Sequence, residues 1–326
     1  MERARSLARQ AEPSRYRWIR ALVLGAVCVA CGCSAHSSSV LPVPAEPLLA
    51  RAVPDGLSGM APVGARAFVV VHDVKDSQPG RTRLGLVSVD EEGAVGYQPI
   101  AVAWGPRVSS DLESACALPG RADEILASES WGGGCMFHAR IHHGDEAAPS
   151  ADLLGCIPIP HDVVEMEGLA CTVAPDGAVW LVLGERGGEP GANPGRLRWG
   201  TLDLAAHTFV ERGRTTVRSP TDGRTDLEHQ RHVADLWLDR DATLWSAGTE
   251  DPGDAGPFRS VLYRLGRFGP DPSHPSTLTF SPVSDPQPLW FEGLKVEAVS
   301  APVGAGARFS VGTDDEALVG VWRPVR

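Results

Sequence analysis

The chain has 326 residues, 41 acidic and 30 basic side chains, and a 43% hydrophobic content. That apolar share can bury a core, which excludes a globally disordered chain, and the acidic balance excludes a nucleic-acid partner, whose binding needs neutralised phosphates. With 36 glycines, 27 prolines and no long helical pattern, the composition points to short strands joined by turns.

Residues 1–32 read as a lipoprotein signal peptide. Arg3, Arg5, Arg9, Arg15, Arg17 and Arg20 precede an apolar run, ALVLGAVCVA, at 21–30. The run is far short of the roughly 20 residues a spanning helix needs. It fits the h-region of an export signal. Val29-Ala30-Cys31-Gly32-Cys33 resembles the lipobox of bacterial lipoproteins, with small residues leading into a cysteine. That resemblance implies cleavage before Cys33 and diacylglyceryl transfer to its thiol. Cys31 is the second candidate, and an ordinary signal peptide cut at an Ala-x-Ala-like site is the alternative.

Each buried methylene of an acyl chain contributes about 0.8 kcal/mol, so several chains anchor a protein stably. Ser34 follows the cysteine, where aspartate often retains lipoproteins at the inner membrane. The implied address is the outer membrane, on its periplasmic side or at the cell surface. Residues 33–47 are Ser- and Pro-rich and read as an extended tether. Without its basic leader the body carries a net charge of about −15.

Residues 48–326 carry an internal repeat. GLSGMAPVGARAFVVVHD ends at Asp73 and DLESACALPGRADEILASE at Glu129. EMEGLACTVAPDGAVWLVLGE ends at Glu185, RHVADLWLDRDATLWSAGTE at Glu250, and KVEAVSAPVGAGARFSVGTD at Asp314. Each copy is an apolar strand, a turn rich in Gly, Asp or Pro, and a second apolar strand closed by a carboxylate. Further alternating strands lie between copies, such as RLRWGTLDL at 196–204 and SVLYRLGRF at 260–268. Four strands per unit, repeated around an axis, describe an all-β β-propeller. Five copies imply five blades, and a sixth would need a unit too diverged to see. The last unit lacks an outer strand, which the stretch around Leu48–Val53 is placed to supply, closing the ring.

Four cysteines remain beyond the tether, and they allow three pairings. Cys135 and Cys156 flank an expected outer hairpin. Cys116 and Cys171 occupy matching places on adjacent inner strands. The expected bridges are Cys135–Cys156 and Cys116–Cys171; four buried free thiols are the alternative.

Antiparallel hairpins start and finish on one face. Glu113 and Glu129, Glu167 and Glu185, and Glu297 with Asp314 and Asp315 should therefore meet at one mouth of the channel, joined by Asp73 and Glu250. Such a ring of like charges suits a divalent metal, Ca2+ among them, or a cationic ligand. Acids that cap turns and tie blades together are the plainer reading. In the fourth unit His232 falls at the offset of Glu167. With Arg231 it is a candidate general base and anion clamp, and its carboxylate neighbours should raise its pKa.

EMEGLA at 165–170 and DLESACA at 111–117 resemble the starts of secreted propellers described as esterase-like phytases. The resemblance spans roughly residues 55–326 and implies metal-assisted phosphoester hydrolysis. This chain departs from the pattern with Ser58 and His232 in place of the glutamate. Two functions follow as expectations. The first is an envelope lipoprotein, bound to the membrane by its lipid, whose propeller face binds a small ligand or an envelope protein. The second is a metal-dependent hydrolase working at the acidic mouth.

Overall fold

The computed structural model describes residues 52–53, 56–75, 80–144, 147–188, 193–315 and 320–326. The signal peptide, Cys33 and the tether lie outside the described residues. All regular structure in those segments is β, and no helix there is long and apolar enough to cross a membrane.

β1 (Ala52–Val53) stands alone at the start. β2 (Gly59–Pro62), β3 (Ala67–Val71), β4 (Leu84–Val89) and β5 (Val95–Pro99) form the first blade as a meander. β6 (Ala101–Val102), β7 (Leu112–Ala117), β8 (Glu124–Glu129), β9 (Cys135–Gly144) and β10 (Ala147–Pro158) form the second, with β6 added parallel to β10 at its rim. β11 (Met166–Val173), β12 (Val179–Glu185), β13 (Gly195–Asp203) and β14 (Thr208–Val217) make the third. β15 (Gln230–Leu238), β16 (Thr243–Glu250), β17 (Arg259–Pro270) and β18 (Leu278–Pro282) make the fourth, and β19 (Leu289–Glu292) also pairs with β17. β20 (Val296–Ser300), β21 (Phe309–Thr313) and β22 (Gly320–Val325) begin the fifth.

The fifth blade is completed by β1, which pairs antiparallel with β22 through Ala52↔Val321 and Val53↔Gly320. One end of the chain thus finishes the blade begun by the other. Closure of this kind leaves no pair of end blades exposed to water.

The core is divided among the blade interfaces. One cluster joins Ala61, Val69 and Val71 of blade one to Leu112, Ile125 and Phe137 of blade two. Leu126 and Met136 meet Leu169 and Leu181 between blades two and three, and Trp180 and Val182 meet Val233 and Leu236 between three and four. Trp245 and Ala247 meet Phe309 and Val311 between four and five, and Phe68 and Val70 meet Trp322 between one and five. The two inner strands of a blade are therefore buried on both sides, as β8 and β20 show over their whole length. That is why they read as apolar runs and not as alternating ones.

Both cysteine pairs form disulfides as expected. Cys116–Cys171 joins the innermost strands of blades two and three, with Cα atoms 6.1 Å apart. Cys135–Cys156 closes the β9–β10 hairpin at 5.5 Å.

Candidate functional site

Four of the five innermost strands carry a pairing irregularity opposite the end of the second strand. In β7, β11 and β20 the pairing skips one residue opposite the end of the second strand, and the skipped residues are Glu113, Glu167 and Glu297. A bulge turns the strand locally and re-aims that side chain. Three blades therefore present a glutamate at one position near the axis. Blade one has Ser58 there, buried, with a hydroxyl that has no hydrogen-bond partner.

These glutamates are buried, and their ionisation is suppressed. Burial raises the pKa of Glu113 well above the ordinary carboxylate range, and Glu167, Asp73 and Glu297 raise it further against the opposing Lys75. Burial also raises Glu167, while Arg186, Arg231 and Lys295 pull it back. Glu297 is pushed up to about 8 by burial, with Lys295 opposing and Asp314 and Glu167 adding to the rise. Among the described residues Glu113 has no hydrogen bond and no ion pair.

Four cations interleave with the acids. Lys295 Nζ lies 3.1 Å from Glu297 and 3.3 Å from Asp251. Arg231 sits 2.7 Å from Asp251 and 3.6 Å from Glu297. Arg186 reaches Glu167 at 3.6 Å and bonds Glu165 at closer range. Lys75 lies 2.6 Å from Asp73 and also bonds Asp111. Asp73, Asp111 and Glu113 each place a carboxylate oxygen within 4.8 Å of the others.

The carboxylates that close the second strands face elsewhere. Glu129 accepts hydrogen bonds from the Ser110 and Cys135 amides and from Arg107, at 3.0, 2.8 and 2.5 Å. Glu185 accepts from the Val164 amide at 3.0 Å and from Arg198 Nε at 2.7 Å. Glu250 accepts from the Asp226 amide and from Arg259, both at 3.1 Å. Asp315 takes the Lys295 amide and the Thr313 hydroxyl, both at 2.7 Å. Each one thereby fastens the loop that enters its own innermost strand. The expected ring is thus two sets: Glu113, Glu167 and Glu297 around the axis with Asp73 and Asp314 beside them, and Glu129, Glu185, Glu250 and Asp315 bound within the blades.

Blade four departs from the others. Its bulge is longer, spanning the residues between Arg231 and Asp235. Arg231 consequently joins the charged mouth. His232 turns to Ser219, with Nδ1 3.2 Å from the amide nitrogen and 3.1 Å from Oγ. The raised pKa expected for His232 is corrected: burial, helped by the Arg218 charge, lowers it to about 4. Among the described residues no carboxylate bonds the ring to hold a proton on it. Further along β15, Asp235 is fully buried and accepts the amides of Leu236 and Val299, both at 2.7 Å. Burial dominates its environment and raises its pKa well above normal despite those bonds.

Lys75, Asp111, Glu165, Arg186, Asp251 and Lys295 were not singled out from sequence. A signal for half of them was present. Asp111-Leu-Glu113, Glu165-Met-Glu167 and Lys295-Val-Glu297 each put a charge two residues before the bulge glutamate. Charges two apart on a strand share a face. The rim around this mouth carries exposed apolar side chains as well: Val108, Trp131, Val164 and Leu227, 40% to 64% exposed, on loops that enter or leave the inner hairpins.

These features define a class, a five-bladed propeller with a charged axial mouth. Its chain course overlaps several solved structures. A thermostable family-43 glycoside hydrolase overlaps at TM-score 0.43, 8% identity, 83% of this chain and 88% of the other. An exo-1,5-α-L-arabinanase from a bovine ruminal metagenomic library does so at 0.44, 11%, 86% and 95%. An exo-β-1,3-galactanase from Clostridium thermocellum does so at 0.46, 9%, 84% and 60%. The propeller architecture rests on the strand pairing above, and the activities of those proteins do not carry over at such values. No protein-family model and no curated protein matches the chain, so the phytase resemblance belongs to the sequence reading alone.

Proposed function

We propose that this chain is an exported lipoprotein, held at the outer membrane through Cys33, whose propeller mouth binds a small polar ligand carrying positive charge. One observation carries the ligand reading. Glu113, Glu167 and Glu297 occupy one bulge position in three blades, and all three are buried with their ionisation suppressed. Carboxylates held this way cost folding free energy, and such cost collects at functional sites. The apolar rim of Val108, Trp131, Val164 and Leu227 adds contact area for the uncharged part of a ligand.

Thermal-shift titration of the full chain with polyamines and quaternary amines tests the reading. A saturable rise in melting temperature is expected, abolished in Glu167→Gln and Glu297→Gln. Identical shifts in wild type and both variants would remove the mouth from the account. Metabolic labelling with palmitate tests the anchor: the label should be incorporated and lost in Cys33→Ser.

A second reading is favoured by the contrast between Glu113 and Glu167. Glu113 lacks a partner and burial raises its pKa well above the ordinary range, while Glu167, also raised, has Arg186 to oppose the rise. Two carboxyls separated in pKa suit general acid and general base roles in hydrolysis. Turnover of nitrophenyl esters, phosphate esters and glycosides, lost in Glu113→Gln and Glu167→Gln, is its test. No turnover on any of them ends this reading and leaves the first intact.

A further inference from the structure

At the junction of blades one and two the charged mouth is unbalanced. Asp73 follows β3, Asp111 precedes β7, and Glu113 fills the β7 bulge. Theirs is the metal-compatible group found among the described residues, with one oxygen from each inside a 4.8 Å span. Acids often cluster without binding anything, so the spacing alone is insufficient.

Glu113 supplies the second observation. Its side chain is nine-tenths buried and aimed into this group, yet no described donor or cation bonds it. Glu129, Glu185 and Glu250, by contrast, each have several donors. A buried carboxyl without a donor departs from the rule that buried polar groups are bonded, and a ligand held among Asp73, Asp111 and Glu113 would satisfy it.

Lys75 supplies the third. Its ammonium bridges Asp73 and Asp111 and leaves Glu113 out, although half of the side chain is in water. A strongly hydrated ammonium on a flexible stem is a weak and displaceable occupant. It brings one positive charge to three carboxyls, where a divalent ion brings two.

We infer that Asp73, Asp111 and Glu113 form a binding site for a hard divalent cation, and that the Lys75 ammonium holds the place when the metal is absent. The donors are all oxygens, which suits calcium or magnesium and disfavours soft metals. Calcium tolerates irregular oxygen sets and completes its shell with water, so it fits three unevenly placed carboxylates better than octahedral magnesium. The site does not depend on the organic ligand proposed above, because metal alone reads it.

Calorimetric titration of the chelator-stripped full chain with calcium and with magnesium is the test. Wild type should take up one calcium ion saturably, with magnesium weaker. Lys75→Met removes the competing cation and should bind calcium about tenfold tighter or more. Glu113→Gln should bind about tenfold more weakly or worse, the scale seen when groups around a metal are removed. Asp111→Asn is the companion variant, expected to weaken binding on the same scale. Calcium should also increase acetylation of Lys75 by a lysine-selective reagent, as the ammonium is displaced. The inference is overturned by absence of saturable uptake in both wild type and Lys75→Met. Weaker binding in Lys75→Met overturns it too, as does wild-type affinity in either carboxylate variant. An amine pull at the mouth without metal uptake would leave the ligand reading standing and this one refuted.

Discussion

Glu185 and Glu167 belong to the same hairpin of the same blade. Glu185 ends β12 and is saturated: it takes one backbone amide and two arginines, including the fully buried Arg198. Glu167 sits in the β11 bulge with one long contact to Arg186 and a raised pKa. The same contrast separates Glu129 from Glu113 and Asp315 from Glu297. A carboxylate that ends the second strand meets the loop entering the first, where amides await it. A carboxylate in the bulge turns toward the axis, where other blades send their own acids. Chemically identical residues in one repeat thus divide into blade fasteners and a strained site.

The contrast can be broken hardest at Arg198. This guanidinium bonds Glu185, Asp162 and Glu211 from a fully buried position. Arg198→Ala leaves Glu185 buried without its main partner, and a loss of about 3–5 kcal/mol is expected in chemical denaturation. A loss under about 1 kcal/mol would mean that the outer carboxylates do not fasten the blades.

Next in size is the bridge between blades two and three. The Cys116–Cys171 disulfide spans 55 residues of sequence. Replacing both cysteines by serine should cost about 2–4 kcal/mol under oxidising conditions. Equal stability of the variant and the wild type would show that packing alone holds those innermost strands together.

The inner set is sharpened by pH. Glu297 has a folded pKa of about 8 against an ordinary value of 4.5. The folded chain therefore holds that proton where the unfolded chain has lost it, and the associated stability fades as pH rises through 8. His72 and His232 act in the opposite sense at lower pH. Burial lowers both to about 4, so they contribute stability that is lost as pH falls from 6.5 toward 4. Melting temperature should peak near neutrality on the acid side and decline toward pH 8. Glu297→Gln should flatten the alkaline limb and gain about 2 kcal/mol at pH 8. A variant less stable than wild type at pH 8 contradicts the assignment.

The smallest effect belongs to Arg107. It pairs with Glu129 from a half-exposed position, and Glu129 keeps two amides without it. Arg107→Ala should cost about 0.5 kcal/mol. A cost several times larger would place Glu129 closer to the inner set in character than its amide bonds imply.

Much of the architecture was legible beforehand. The hairpin repeat shows through because both inner strands are buried on two faces and so carry long apolar runs. The missing outer strand of the last unit points to the stretch around Leu48–Val53, and Ala52–Val53 supplies it. The disulfides followed from matching positions on neighbouring strands. The division of the carboxylates was not legible, because a bulge changes which way a side chain faces without changing its residue type. Counting back from Glu250 therefore put His232 where the longer bulge of blade four puts Arg231.

The sequence alone determined the repeat and the strand that closes the ring, and its five copies implied five blades with a sixth left open, since burial periodicity is a local property written into each segment. Tertiary structure alone decided which acids face the axis, which cations stand between them, and that Glu113 has none of its own. Those facts arise from separate strands converging on one mouth, with bulges in four of them aiming the side chains. No single segment holds that information.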